Sequence, residues 1–311
     1  MARYAGSYWD YMCAGRVGGK IPEAPALPMV ALPTTAGTGT EVTPWAVITR
    51  SSNREKRAWS NESTFPHLAI VDPELIHTLP SRIIAYTGMG AFFNAVGAIL
   101  ATSRQPHGDM LALEAIQIIS RFLPPAVKGD ADQSARTMLS WASTAAGMGR
   151  SLSSGISHHT LAYALSALAP HLPQGIGLTL SSEAYFSWLG GRRSERFDLL
   201  ADAMGLNLAD ETADGPRRFQ AALRHLIQSV GLADESLANY GLGIDDIPTL
   251  TSHVSETMEA LFDVAPIPQE RSDIEAILAD ALRDSPIRTR TEQFDGTAAK
   301  TKPQRRSPHG A

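Results

Sequence analysis

The sequence predicts two architectures in one chain, an incomplete α/β segment over residues 1–80 followed by an all-helical domain over 81–290. Three observations predict this. Before residue 80, short apolar runs bounded by prolines and turn-formers recur, the pattern of buried strands. From Ser81 onward, apolar residues recur at three- and four-residue steps, the pattern of packed helices. The strand candidates fall short of the about five or six strands of a typical sheet, so the α/β part reads as partial.

The strand candidates are Leu27–Leu32 (LPMVAL), Ala46–Thr49 (AVIT) and Leu68–Val71 (LAIV). The first helix shows its stripe in Met89, Phe92, Phe93, Val96, Ile99 and Leu100. Asp109–Phe122 repeats the pattern and is expected to stop at Pro124-Pro125, because proline lacks the amide that continues a helix. Ala135–Met148 and Phe219–Val230 are further helices, the latter with Arg217, Arg218, Arg224 and His225 read as a solvated face. Ser272-Asp-Ile-Glu275 reads as a capping box opening a last helix. Residues 291–311 read as a tail; from Phe294 on it has no periodicity, is rich in proline and basic residues, and is expected to be disordered.

Composition narrows the function. Lys and Arg total 27 against 32 Asp and Glu, a net charge of −5, which argues against a nucleic-acid binder. A single cysteine, Cys13, excludes an internal disulfide and a cysteine-based zinc cluster. No signal peptide or uninterrupted membrane-length apolar run is visible, so a cytoplasmic protein without a membrane partner is expected.

The sharpest local motif is Pro33-Thr34-Thr35-Ala36-Gly37-Thr38-Gly39-Thr40-Glu41, directly after a strand candidate. Gly37 and Gly39 permit close approach of the backbone to a ligand, and their amides suit an anion nest. The threonine hydroxyls suit phosphate or ribose oxygens. A polar turn joining two strands is the alternative reading. The motif is neither a Walker loop nor a GxGxxG.

With its continuation, PTTAGTGTEVTPWAVIT resembles the signature of the iron-containing (group III) alcohol dehydrogenases. The likeness continues in LAIVDPELIHTLPS, YTGMGAFFNAVGA, GDMLALEAIQII and SLANYGLGIDDIPTL, and covers about residues 25 to 285. The resemblance implies a partial Rossmann-like dinucleotide-binding domain followed by an all-helical metal and substrate domain, the dehydroquinate synthase-like architecture. It implies NAD or NADP as cofactor, with Thr34, Thr35, Gly37, Thr38, Gly39, Thr40 and Val47 around it. Lys56 stands at the spacing of a family lysine that reaches the cofactor ribose; a solvated lysine in the run Arg54-Glu-Lys-Arg57 is the alternative.

Two departures qualify that implication. The family's N-terminal stretch, with a Gly-Gly-Gly-Ser loop on which the pyrophosphate sits, has no counterpart here, so the chain is expected to begin inside the cofactor domain and to leave sheet edge exposed. The second departure concerns the divalent metal, iron or zinc. The family ligands are an Asp and a His one turn apart on a helix, then two later His. Here Gly90 and Asn94 stand at the first two positions, with Gly97 replacing a family Glu on the same face. His159 matches the third, with His158 beside it. Gln174 stands at the fourth, with His171 as a substitute if the loop shifts. Partly buried or capping histidines are the alternative for the His158-His159 pair. The metal is therefore expected to be lost. A branch resembling the maleylacetate reductases works without one, but keeps histidines replaced here by Asn94 and Gln174.

The function implied is an NAD(P)-dependent oxidoreductase interconverting an alcohol with an aldehyde or ketone, impaired as written. The alternative is a non-catalytic descendant acting as a binding or oligomerisation module. Asp109 and Glu114 read as structural. A small alcohol or aldehyde is the expected partner, with self-association into a homo-oligomer.

Overall fold

The computed structural model describes residues 7–12, 19–129, 133–205, 213–257 and 262–283. Cys13 and the tail expected to be disordered lie outside the described residues.

Four short strands precede the helices: β1 (Val30–Ala31), β2 (Ala46–Arg50), β3 (Glu55–Trp59) and β4 (Leu68–Ala69). β1 pairs in parallel with β4, Val30 opposite Leu68. β2 and β3 form an antiparallel hairpin, Thr49 opposite Lys56. The apolar runs around β1 and β4 are not buried, contrary to the sequence expectation. Val30 and Leu68 are each 52% exposed. A two-residue ladder with a single partner strand has no second layer to cover its side chains. β3 was not expected. It forms within the charged run because Glu55 and Arg57, two apart on one face, pair with each other, while Lys56 turns to the other face.

The helices of the described residues are α1 (Ser81–Leu100), α2 (Pro106–Lys128), α3 (Gln133–Ser153), α4 (His158–Leu168), α5 (Gln174–Gly190), α6 (Phe197–Met204), α7 (Gly215–Ser229), α8 (Ile247–Thr257) and α9 (Arg271–Ala281). α1 is the axis of the core. The expected stripe is there, but the burial goes all round: Met89, Phe92, Ala95, Val96, Ala98 and Ile99 are wholly buried. Its neighbours are α2, α3 and α5. α1 and α2 are long and apolar enough to cross a membrane, with mean hydropathy 1.6 and 1.3. The 83% burial of α1 inside the molecule marks it as a core helix.

Three sequence expectations need correction. α2 runs through Pro124 and Pro125 to Lys128 instead of stopping. Leu123 and Ala126 are buried there, and Leu123 fills the space left by Gly88 of α1. That packing offsets the lost helix bonds, and Gly129, at φ 82°, closes the end. The last helix is capped by Glu270 with Asp273, two residues earlier than Ser272 with Glu275. Arg224 is not solvated: its Nε donates to Glu183 Oε1 at 2.8 Å, with both side chains mostly buried. Arg218 pairs with Asp198 and Asp202. Asp109 holds Arg196, and Glu114 accepts from the Trp141 indole at 3.1 Å.

Candidate active site

The threonine loop leaves β1 and lies against two helices. Gly39 has φ 61°, and a Cβ on it would stand 2.6 Å from the Gly147 Cα of α3. A Cβ on Gly37 would stand 2.5 Å from the Thr87 Cβ of α1. The close approach that these glycines permit is therefore to the protein's own helices. Two further bonds hold the loop's end. Thr144 Oγ1 donates to the buried Glu41 carboxylate at 2.7 Å, and Ser151 Oγ donates to the Val42 carbonyl at 3.1 Å.

A cleft of about 370 Å³ opens between this loop and the helices. Gly37, Thr38, Thr40, Trp45 and Val47 form one wall. Gly90, Asn94, Arg150, Tyr163 and Gln174 stand on the other. The loop hydroxyls Thr38 Oγ1 and Thr40 Oγ1 are 3.2 Å apart. Thr34, Thr35, Gly39, Lys56 and His159 do not line the cleft. A larger hollow of about 560 Å³, on the strand side, is lined by Tyr8, Leu27, Met29, Trp59 and similar residues, without a charged side chain. A charged side chain, Arg150, lines the smaller cleft.

Asn94 joins the two walls. Its Nδ2 donates to the carbonyls of Gly37 at 3.4 Å and Thr38 at 3.5 Å. Its Oδ1 accepts from an Arg150 guanidinium nitrogen at 2.7 Å and from His159 Nε2 at 3.0 Å. That assignment puts the His159 proton on Nε2. His159 is wholly buried, and its pKa is held well below the ordinary value by burial first and by the Arg150 charge second. His158 is buried in an aromatic cluster, 4.9 Å from the Tyr185 ring, and its Nε2 meets Leu178 O and Ser181 Oγ, both at 3.1 Å. Burial pushes its pKa down to about 3. The two histidines are thus fully buried and uncharged, not partly buried or capping. His171 is exposed and off the cleft.

Lys56 is not a solvated surface lysine either. Its Nζ donates to Ser166 Oγ at 2.9 Å and lies 5.8 Å from the Tyr163 ring centre. Burial pulls its pKa down. Tyr163 thus has Lys56 over its ring and an Arg150 nitrogen 3.5 Å from its hydroxyl. Arg150 went unnoticed in the sequence. The signal was available: it is the one Asp, Glu, Lys or Arg between Arg136 and Glu183.

The donor set does not fit a divalent metal. Among the described residues, no three His, Cys, Asp or Glu side chains come together as a metal site. A catalytic site needs about three protein ligands and an open position. Here the four family positions hold a glycine, two amides and one histidine, and the Asn94 oxygen already accepts from a guanidinium 2.7 Å away. A cation at that oxygen would meet a fixed positive charge.

Known proteins match both parts of the chain. The C-terminal domain of the Fe-containing alcohol dehydrogenase family matches residues 84–282, and iron-containing alcohol dehydrogenase matches residues 1–73. The NAD-dependent methanol dehydrogenase of Bacillus methanolicus is 31% identical over 235 residues, covering 75% of this chain and 61% of the relative. An archaeal alcohol dehydrogenase from a Red Sea brine pool superposes with a TM-score of 0.82 at 28% identity, covering 88% of this chain and 69% of the other. The sulfoacetaldehyde reductase of Bifidobacterium kashiwanohense, solved with NAD+, superposes with a TM-score of 0.73 at 25% identity, covering 91% and 71%. The chain spans about three fifths of the length of the curated relatives it matches first. Matched over both its strand-bearing and its helical part, the chain belongs to the iron-containing alcohol dehydrogenase family.

Proposed function

We propose that the cleft is a metal-free carbonyl-reducing site, with a nicotinamide nucleotide, NAD or NADP, on the threonine-loop side and a small aldehyde or ketone against the helices. As a metal-assisted alcohol dehydrogenase the chain is impaired. The observation that carries this reading is the Arg150 guanidinium on Asn94, a cation at the place where the family's metal ligands would converge.

The chemistry favours reduction over oxidation. Oxidising an alcohol requires removing a hydroxyl proton held about as tightly as that of water, without a metal to lower its pKa. Reduction needs a hydride at carbon and a proton at oxygen. A bound dihydronicotinamide would supply the hydride, and the carbonyl oxygen would take up the displaced π pair. Tyr163, whose hydroxyl side chain lines the cleft, gives that oxygen its proton and regains one from water. Arg150 at its hydroxyl and Lys56 over its ring are the charges beside the anion that remains. Thr38, Thr40, Gly37 and Val47 border the nucleotide side of the cleft; Thr34, Thr35, Gly39 and Lys56 act from behind it.

Titration with NADH and NADPH, followed by nicotinamide fluorescence, tests the reading. Saturable micromolar binding is expected. Tyr163→Phe should then lower the turnover of an aldehyde panel by about 100-fold or more with nucleotide binding unchanged. No binding of either nucleotide at millimolar concentration overturns it. The second reading, a non-catalytic binding or oligomerisation module, then stands; the fully packed helical core around α1 favours it.

A further inference from the structure

We propose that the cleft is built for a carboxylate, and that Arg150 is the counter-charge for the acid group of a small 2-oxo acid. This rests on the reading of the cleft as the substrate site.

The argument starts from an uncompensated charge. Arg150 is half-buried near the C-terminal end of α3. Its partners are neutral: the Asn94 carbonyl at 2.7 Å and the Tyr163 hydroxyl at 3.5 Å. Among the described residues, no carboxylate pairs with it and none lines the cleft. The buried acid of the facing loop, Glu41, accepts from Thr144. Drawing a guanidinium partly out of water without a counter-ion is costly, and an anion entering the cleft repays that cost.

Geometry selects the anion. A guanidinium has five N–H donors in a planar fork, and neutral protein groups engage only part of that fork here. The remaining donors suit the two oxygens of a carboxylate. The cleft, at about 370 Å³, is at the small end of ligand sites. Tyr163 stands beside Arg150, so an acid group held on the guanidinium brings an adjacent ketone to the tyrosine hydroxyl. A 2-oxo acid has that spacing. A nucleotide phosphate is the competing oxyanion, and the test separates the two.

The experiment is calorimetry on the full chain at low salt with pyruvate, its uncharged amide pyruvamide, and ADP. We expect pyruvate to bind at least tenfold more tightly than pyruvamide. Arg150→Gln should remove that preference, Arg150→Lys should keep part of it, and added salt should weaken pyruvate on the wild type. Equal binding of pyruvate and pyruvamide overturns the proposal, as does absence of pyruvate binding. So does an Arg150-dependent ADP site that displaces pyruvate. If Arg150→Gln fails to fold, the Lys variant and the salt series decide. The NADH titration on the same samples keeps the two readings apart. Arg150-dependent pyruvate binding without NADH binding leaves the anion site standing and removes the redox reading. NADH binding without pyruvate binding does the reverse.

Discussion

The strand-bearing region and the helical region of this molecule treat their apolar residues in opposite ways. In α1, Met89, Phe92, Val96 and Ile99 are wholly buried, whereas Val30 and Leu68 of the β1–β4 ladder are half exposed. Yet the candidate cleft needs both regions, since its walls come from the threonine loop and from the helices. The difference teaches that the loop is not held by its sheet. It is held by the helices, through the close contacts of Gly37 and Gly39 and the Asn94 amide. The stability of the cleft is therefore helical stability.

The comparison can be broken most severely at the ligand positions. If the helices keep the convergence of their family, Gly90→Asp, Asn94→His and Gln174→His together with Arg150→Met should gain one tightly held zinc or cobalt ion, measured by metal analysis after desalting. A Cβ at Gly90 meets nothing closer than 3.9 Å, so the aspartate has room. The triple variant that retains Arg150 should stay empty. Metal in neither would mean that the four positions do not converge.

Core substitutions sharpen the contrast in stability. Phe92→Ala should cost about 3–5 kcal/mol by urea unfolding. Leu68→Ser, on the exposed ladder, should stay within about 0.5 kcal/mol of wild type.

The buried histidines predict an acid limit for the helical region. Both have folded pKa values below the unfolded value of about 6.5, His158 at about 3. The unfolded chain therefore takes up protons first as pH falls. Stability is fully present above pH about 6.5 and is lost downward from there, by up to about 1.4 kcal/mol per pH unit for each histidine. Unfolding free energies measured from pH 7.5 to 5 check this. A flat profile would mean that the rings are not buried and neutral.

A last substitution tests the loop's anchorage. Gly39→Ala should add about 1–2 kcal/mol of positive-φ strain, and its Cβ, 2.6 Å from the Gly147 Cα, should push the loop off α3. We expect nucleotide binding to weaken while the main unfolding transition moves little. An unchanged titration would mean that the loop does not bear on the nucleotide.

Much of this was legible in the sequence, and the illegible parts have physical reasons. Helical periodicity marked α1, α2 and α3, because apolar repeats record packing directly. The family resemblance drew attention to the threonine loop and to positions 90, 94, 159 and 174, of which Gly37, Thr38, Thr40, Gly90, Asn94 and Gln174 line the cleft. The end of α2 was misread because the cost of Pro124-Pro125 is visible locally, whereas the packing of Leu123 on Gly88 is not. β3 was missed because the pairing of Glu55 with Arg57 cancels the charges that make its segment look like a loop. The Arg224–Glu183 pair joins residues 41 apart, beyond any local pattern. Arg150 needed three dimensions: its partners Asn94 and Tyr163 lie 56 and 13 residues away.

The Asn94–Arg150 contact also constrains the evolutionary future of this chain. A single codon change that placed histidine at position 94 would remove the oxygen shared by the guanidinium and His159 and leave both without that acceptor. No metal would yet be bound to reward the change. A metal bound at this position would meet the Arg150 guanidinium, so the arginine stands in the way of that change. Two side chains 2.7 Å apart thus act as a ratchet on what this sequence can become.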